Sequence, residues 1–451
     1  MVIFFVIIAA VLSSKLIAST QDFSKAALVV GGIAFAIATF IDTNIGLAAI
    51  LLSMLLSPEL EAGAAGRHAV VIRAEDLLLI IVSITWLAKM AIEKRPLIKN
   101  SPLNAPIAIY TAILAFSTLR GMLMGKVVPI SGFFYVLKIV EYFVLYFIVL
   151  NQITTIKQVK TFLVILLFVS LIVGIYGNTH IGKEARISAP FEGEGEPNTL
   201  GGYLLFILSL LGGLIYYYRD RRIILVGIFL FLVPTFIFTL SRASYLGMFA
   251  SLGIAIVILK DYRITALVLA MFLAFVVLVA VGPPQIRDRV IGAFTPEKQQ
   301  ELKSVGALTL GPSPAARIVS WQIAMKDKFP KAPFFGRGVT GAGFLDSQYV
   351  LILVETGLIG LAAFFFLLWR IWSVACDSFR KVQLPLFKGI AIGYMVGFVG
   401  LLLHAVGSNT FIIIRIAEPF WFLTAIVVKL FSIETGKAAI EDDLAVYPHL
   451  P

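Results

Sequence analysis

The sequence predicts an all-α polytopic integral membrane protein with about 12–14 transmembrane helices. Three observations predict it. Of 451 residues, 59% are hydrophobic and only 14% charged, whereas a soluble protein carries roughly 25% charged residues. Apolar stretches recur at about 17–25 residues, long enough for a helix to cross roughly 30 Å of hydrocarbon. The alternation of barrel strands is absent, and backbone in lipid must satisfy its own hydrogen bonds, which leaves helices.

About fourteen apolar segments of near-spanning length follow in order: 2–18, 26–41, 44–57, 75–92, 103–124, 131–150, 160–177, 198–217, 223–240, 243–259, 264–282, 347–373, 385–405 and 409–431. The first, in "MVIFFVIIAAVLSSKLIAST", has no basic region before it, so it reads as a retained helix rather than a cleaved signal peptide. The second and third are short and divided by "DTN"; two helices or one broken helix both fit. Pro197 and Asn198 are helix-start signals. Pro283 and Pro284 end the eleventh segment. The long hydrophilic region 283–346 then holds a short helix in "TPEKQQELKSVG" and an amphipathic one. In the latter, Arg317, Val319, Trp321 and Met325 mix an apolar face with Lys326 and Lys328, a pattern suited to a membrane surface. The chain thus divides into N-terminal transmembrane helices (1–178), central transmembrane helices (179–282), the long loop (283–346), C-terminal transmembrane helices (347–432) and a tail (433–451).

Charge sets the topology. The net charge of +11 sits largely in short loops, where it orients helices and does not imply nucleic-acid binding. "EKRPLIK" (93–99), "TTIKQVK" (154–160), "RDRR" (219–222), "KDYR" (260–263) and "CDSFRK" (376–381) fall on one side under simple alternation, which marks that side as cytoplasmic. Loops 58–74, 179–197 and 283–346 then face outward, and the tail is cytoplasmic. The single cysteine, Cys376, excludes an internal disulfide framework and a cysteine-based metal site.

Within this scheme "FIFTLSRASYLGMF" (236–249) is an exception. Arg242 lies on the outer side between apolar runs 223–240 and 243–259, neither of which carries a formal charge. One reading is a turn residue whose side chain snorkels to the interface. The other is a guanidinium facing a protein cavity to bind an anion. The long loop adds Arg287, Arg289, Lys298, Lys303, Arg317, Lys326, Lys328, Lys331 and Arg337; most of the lysines suit attraction to anionic headgroups. Arg317 and Trp321, four apart, can share one helical face. Glu192, Glu194 and Glu196 alternate with glycines in a pattern that reads as a solvated acidic loop rather than a divalent-metal site. Lys138 with Glu141, and Arg415 with Glu418, are spaced three apart, as in ion pairs on one helical face.

Four strings resemble one family. "EPNTLGGYL" (196–204), "TLSRASYLG" (239–247), "RIVSWQIAMKDKFPKAPFFGRG" (317–338) and "DSQYVLILVETGLIGL" (346–361) are similar, in order, to the Pro-Asn, Ser-Arg, Arg-x-x-x-Trp and Glu-x-Gly-Leu-x-Gly segments of the bacterial O-antigen ligase and polymerase superfamily. "RAEDLLL" and "YVLKIVEYFVLYF" are fainter echoes. The resemblance implies a GT-C-type membrane glycosyltransferase with one long periplasmic loop containing short amphipathic helices. It implies residence in the bacterial inner membrane with the active site facing the periplasm or cell exterior. The donor implied is a glycan on a polyprenyl (undecaprenyl) diphosphate. The acceptor is a sugar hydroxyl of lipid A core or of another repeat unit. No cofactor or metal is expected, and no nucleic-acid partner.

Carried over by motif, Arg242 and Arg317 stabilise the diphosphate leaving group, and Arg415 is a candidate third guanidinium. The family's histidine position holds Asp346, as general base or as a helix N-cap. Ser241, Asn198, Trp321, Ser347, Tyr349 and Glu355 are supporting residues, Glu355 to line the cavity or orient an arginine. His180 and His404 lie on the outer side, and neither replaces the missing histidine convincingly. Two rival classes stay open: a transporter or flippase of lipid-linked oligosaccharides, and a non-catalytic assembly partner. Internal repeats, common in transporters, are not seen.

Overall fold

A computed structural model describes residues 23–57, 59–61, 71–96, 98–191, 195–291 and 314–436. The helices are α1 (Phe23–Ile41), α2 (Thr43–Leu56), α3 (Ala74–Glu93), α4 (Asn104–Leu123), α5 (Pro129–Gln152), α6 (Ile156–His180), α7 (Pro197–Tyr217), α8 (Arg222–Phe238), α9 (Arg242–Leu259), α10 (Tyr262–Val281), α11 (Pro284–Ile291), α12 (Pro314–Ile323), α13 (Gln348–Lys381), α14 (Pro385–His404) and α15 (Ile414–Glu434). A short antiparallel hairpin joins β1 (Glu59–Glu61) to β2 (Val71–Arg73). Among the described residues ten helices, α4–α10 and α13–α15, are long and apolar enough to cross a membrane. The fold is an all-α polytopic membrane architecture. The first apolar segment, the helix expected in 295–306, Lys298, Lys303, Glu192, Glu194 and most of the tail lie outside the described residues.

The second and third segments are two helices. Asp42 separates them, its carboxylate accepting from the Asn44 amide at 2.9 Å as an N-cap for α2. The bundle centre is α7, α14 and α15. Without a hydrophobic drive between helices in lipid, small residues let backbones approach. A Cβ on Gly213 of α7 would lie 2.4 Å from the Gly389 carbonyl oxygen of α14. By contrast α10 is apolar all round and buries none of its residues, as expected of a helix facing lipid.

The helix ends sort into two groups. At one end, Lys99 Nζ donates to the Asn151 carbonyl at 3.3 Å, Tyr216 donates to Asp261 at 2.9 Å, and the Tyr217 and Phe379 rings meet. These contacts gather the basic loops pairwise. At the other end lie the hairpin, the 181–196 loop, the α8–α9 turn and the long loop.

The 347–373 segment departs from expectation. It begins at Gln348, runs to Lys381, and breaks at Gly357, whose φ is 71°. The break is filled by the long loop. Arg337 and Gly338 amides donate to the Val354 and Glu355 carbonyls at 3.0 and 2.8 Å, and the Leu358 and Ile359 amides donate to Pro333 and Phe334 at 2.8 and 3.2 Å. Irregular backbone at membrane depth is tolerated where protein satisfies its polar groups. The approach requires glycine on both sides: a Cβ on Gly336 or Gly357 would lie 2.3 Å from facing backbone. Arg120 Nη1 adds a bond to the Gly336 carbonyl at 2.9 Å. The long loop is thereby locked to the helix that follows it.

Candidate functional site

The α8–α9 turn is the centre of the site. A helix C-terminus leaves its last carbonyls without intrahelical donors, and here each carbonyl from Ile237 to Leu240 finds one elsewhere. Ile237 accepts from the Tyr245 hydroxyl and Phe238 from the Ile187 amide at 3.1 Å. Thr239 accepts from Arg186 Nε at 3.3 Å and Leu240 from Arg289 Nε at 3.0 Å. Cations suit this negative end of a helix dipole. Leu240 adopts a left-handed φ of 50°, which makes the reversal sharp. Ser241 then caps α9: its Oγ accepts from the Ser244 amide at 3.3 Å and donates to Asn198 Oδ1 at 2.8 Å. The Pro-Asn and Ser-Arg segments are thus joined directly.

Arg242 follows at the start of α9, where the positive end of the dipole and free amides favour anions. Its Nε donates to the Arg289 carbonyl at 2.8 Å. Arg289 and Arg317 are near enough for their charges to act on Arg242, and Arg289 and Arg317 likewise act on Arg186. Four guanidiniums therefore converge on one turn. Each is held through Nε. Among the described residues their Nη groups carry no hydrogen bond, and Arg186 Nη2 is buried without a partner. Like charges gathered with unused donors are suited to binding an anion. Burial, with Arg289 next, pushes the Arg186 guanidinium down to about 10; burial and then Arg317 lower Arg289. Arg186 accordingly keeps its charge at neutral pH.

Arg317, on α12, donates from Nε to Asp346 Oδ2 at 3.1 Å. Asp346 is not the cap of α13: the N-cap position belongs to Ser347, which makes no side-chain cap bond. Gln348 anchors the helix start, its amide donating to the Ala405 carbonyl at 3.0 Å and its Oε1 accepting from the Phe411 amide at 3.0 Å. Asn409 donates to the Leu345 carbonyl at 2.8 Å. The Asp346 backbone is therefore fixed on both sides.

The other expected residues fall in two groups. Trp321 lies on the helix of Arg317, with Nε1 buried and unpartnered among the described residues. Glu355 is buried and accepts from the Thr340 amide at 2.7 Å, so it braces the loop leading to Asp346. Tyr349 points into packing, its hydroxyl donating to the Leu402 carbonyl at 2.7 Å. Arg415 is fully buried and donates to the carbonyls of Pro190 at 2.9 Å and Ser57 at 3.3 Å, tying two outer loops to α15. His404 is a core residue bonded to Thr410 at 2.7 Å. Lys138 bonds Asp76 as well as Glu141, which lies at 3.8 Å. No group of three or more His, Cys, Asp or Glu among the described residues could hold a metal ion.

Sequence reasoning overlooked Arg186 and read Arg289 only as one basic loop residue. Nothing local distinguishes them, because their partners are carbonyls about fifty residues away in sequence.

Residues 227–365 match the family model described as O-antigen ligase. The match covers less than a third of the chain, and it includes Arg242, Arg289, Arg317, Asp346 and Glu355 while leaving out Arg186, Asn198 and Arg415. No curated protein matches the chain. The family match supports a role in polysaccharide assembly and a glycosyltransferase-like activity. Over residues 227–365, then, the chain is similar to the O-antigen ligase family, which supports the resemblance read from its motifs.

Proposed function

We propose that the protein is a metal-independent membrane glycosyltransferase. It transfers a glycan from a polyprenyl diphosphate to a sugar hydroxyl, on lipid A core or on another repeat unit. The site faces away from the basic loops, which by the positive-inside rule is the periplasmic or outer face of the cytoplasmic membrane. The observation that carries the reading is the convergence of Arg186, Arg242, Arg289 and Arg317, with unused Nη groups, beside the Asp346 carboxylate.

The chemistry follows from that arrangement. The acceptor hydroxyl oxygen bonds to the anomeric carbon. The bond from that carbon to the phosphate oxygen breaks, and its electron pair leaves on the diphosphate. Fixed guanidiniums meet this developing charge without reorganising, which is the strongest electrostatic use of such groups. The hydroxyl proton passes to Asp346, whose Oδ2 is held by Arg317 and whose Oδ1 is left for the acceptor.

Purified protein in bilayer discs, given lipid-diphosphate-linked glycan and acceptor in the presence of a chelator, tests the reading. Expected are a glycosylated acceptor and free lipid diphosphate. Donor carried across the bilayer with its glycosidic bond intact would make the protein a transporter instead.

A further inference from the structure

A cavity of about 430 Å³ lies between α3, α4, α5, α13 and the 339–345 segment. Small-ligand sites occupy about 300–1,000 Å³ and are mostly apolar with a few placed polar groups. This one has that make-up. Its outer rim includes Leu77, Ile80, Phe134 and Leu137, which are 51%, 48%, 44% and 41% exposed. These apolar side chains stand on α3 and α5, so the mouth opens sideways toward hydrocarbon. The inner wall is polar: Arg73, Asp76, Lys138 and Glu141 on one side and Glu355 on the other. Lys138 bridges Asp76 and Glu141.

Two features separate this cavity from the arginine cluster. The first is charge. The cavity wall sets three carboxyl groups against two cations, whereas the cluster brings together four guanidiniums. A diphosphate is drawn to the cluster; sugar hydroxyls find hydrogen-bonding partners in the carboxyl groups and flat faces in Tyr110 and Tyr135, both of which line the cavity. The second is position. Leu345 and Gln348 line the cavity and flank Asp346 in the chain, while Asp346 Oδ2 is bonded to Arg317 of the cluster at 3.1 Å. The carboxylate stands at the border of the two.

We propose that this cavity binds the acceptor, a lipid-anchored saccharide. Its hydrocarbon enters between α3 and α5, its sugar hydroxyls meet Asp76, Glu141 and Glu355, and one hydroxyl is delivered toward Asp346. The assignment rests on the glycosyltransferase reading and adds to it a second lipid site beside the diphosphate site.

The test uses the full-length protein in bilayer discs and one rim variant, Ile80→Trp, whose side chain projects outward and leaves the core alone. With both substrates varied, the acceptor KM rises about tenfold or more while the donor KM and kcat stay within about twofold. A rise confined to the donor KM, or constants equal to wild type, overturns the proposal. A binding experiment keeps it separate from the transfer chemistry. The probe is a neutral long-chain alkyl maltoside, detected by native mass spectrometry against phospholipid of equal chain length. The saccharide lipid binds in preference, Ile80→Trp weakens it about tenfold, and Arg242→Ala leaves it unchanged. Equal binding of phospholipid, or no effect of Ile80→Trp, overturns the cavity assignment even where transfer is demonstrated. Failure of transfer with this binding intact overturns the enzymatic reading alone.

Discussion

Replacing Arg242 by alanine isolates the contribution of the central guanidinium. Two effects are lost together. The Nη donors proposed to meet the diphosphate disappear, and so does the Nε bond to the Arg289 carbonyl at 2.8 Å, which ties α11 and Arg289 into the cluster. A hydrogen bond to a charged group contributes roughly 1.5–3 kcal/mol, and removing one preorganised donor to a developing anion costs ~2.7–4 kcal/mol. At about 1.36 kcal/mol per tenfold in rate, the larger figure predicts a loss of about 10²–10³ in kcat. Arg242→Lys keeps a point charge and loses the fork, so its loss is smaller, about 10–100-fold. Single-turnover transfer with lipid-diphosphate-linked glycan measures both, with a thermal melt as control for folding. A surface cation acting only on lipid headgroups would be screened beyond about 8 Å at physiological salt, so its removal would change the rate little. Turnover by Arg242→Ala within about twofold of wild type refutes the anion-site reasoning.

Asp346→Asn keeps the size of the side chain and removes the proton acceptor, so kcat falls about 10²–10⁴-fold; full activity eliminates Asp346 as base. Arg186→Ala, outside the segment that carries the family match, raises the donor KM and lowers kcat by about tenfold or more; wild-type constants would leave only three arginines in the site. Gly357→Ala and Gly336→Ala each set a methyl group 2.3 Å from backbone at a left-handed φ, so each lowers the melting temperature, by strain of about 1–3 kcal/mol; unchanged melting would show that the helix break is not held by the loop. Ser241→Ala removes the α9 cap and the bond to Asn198, costing about 1–2 kcal/mol in stability; an unaltered melt would show that the two motifs are joined by packing alone.

The helices were legible because apolar length and short basic loops report them residue by residue. Arg242 was legible for the same reason, as a charge out of place between two uncharged runs. Arg317 and Asp346 came into view through motif order. What escaped depends on contacts between segments distant in the chain. The carbonyls that hold Arg186 and Arg289 belong to another loop's turn. The break at Gly357 is invisible in an apolar run, since hydropathy cannot show that residues 333–338 supply the missing bonds. Lys138 pointed to Glu141 by helical spacing, whereas Asp76, on a different helix, also bonds it. Arg415 had the chemistry of a phosphate ligand, yet its donors go to the Pro190 and Ser57 carbonyls. Spacing alone left Asp346 open as a helix cap, because the helix start it flanks falls one residue later, with Ser347 at the N-cap.

The most direct test is the fate of the glycosidic bond in purified protein. Protein in bilayer discs is mixed with chelator, acceptor and a donor labelled in both glycan and lipid, and the products are separated after one turnover. The account predicts that glycan label moves to the acceptor while lipid label remains as diphosphate, and that Arg242→Ala and Arg317→Ala each slow this separation. Both labels staying in one molecule, or separation proceeding at the wild-type rate without either arginine, would contradict it.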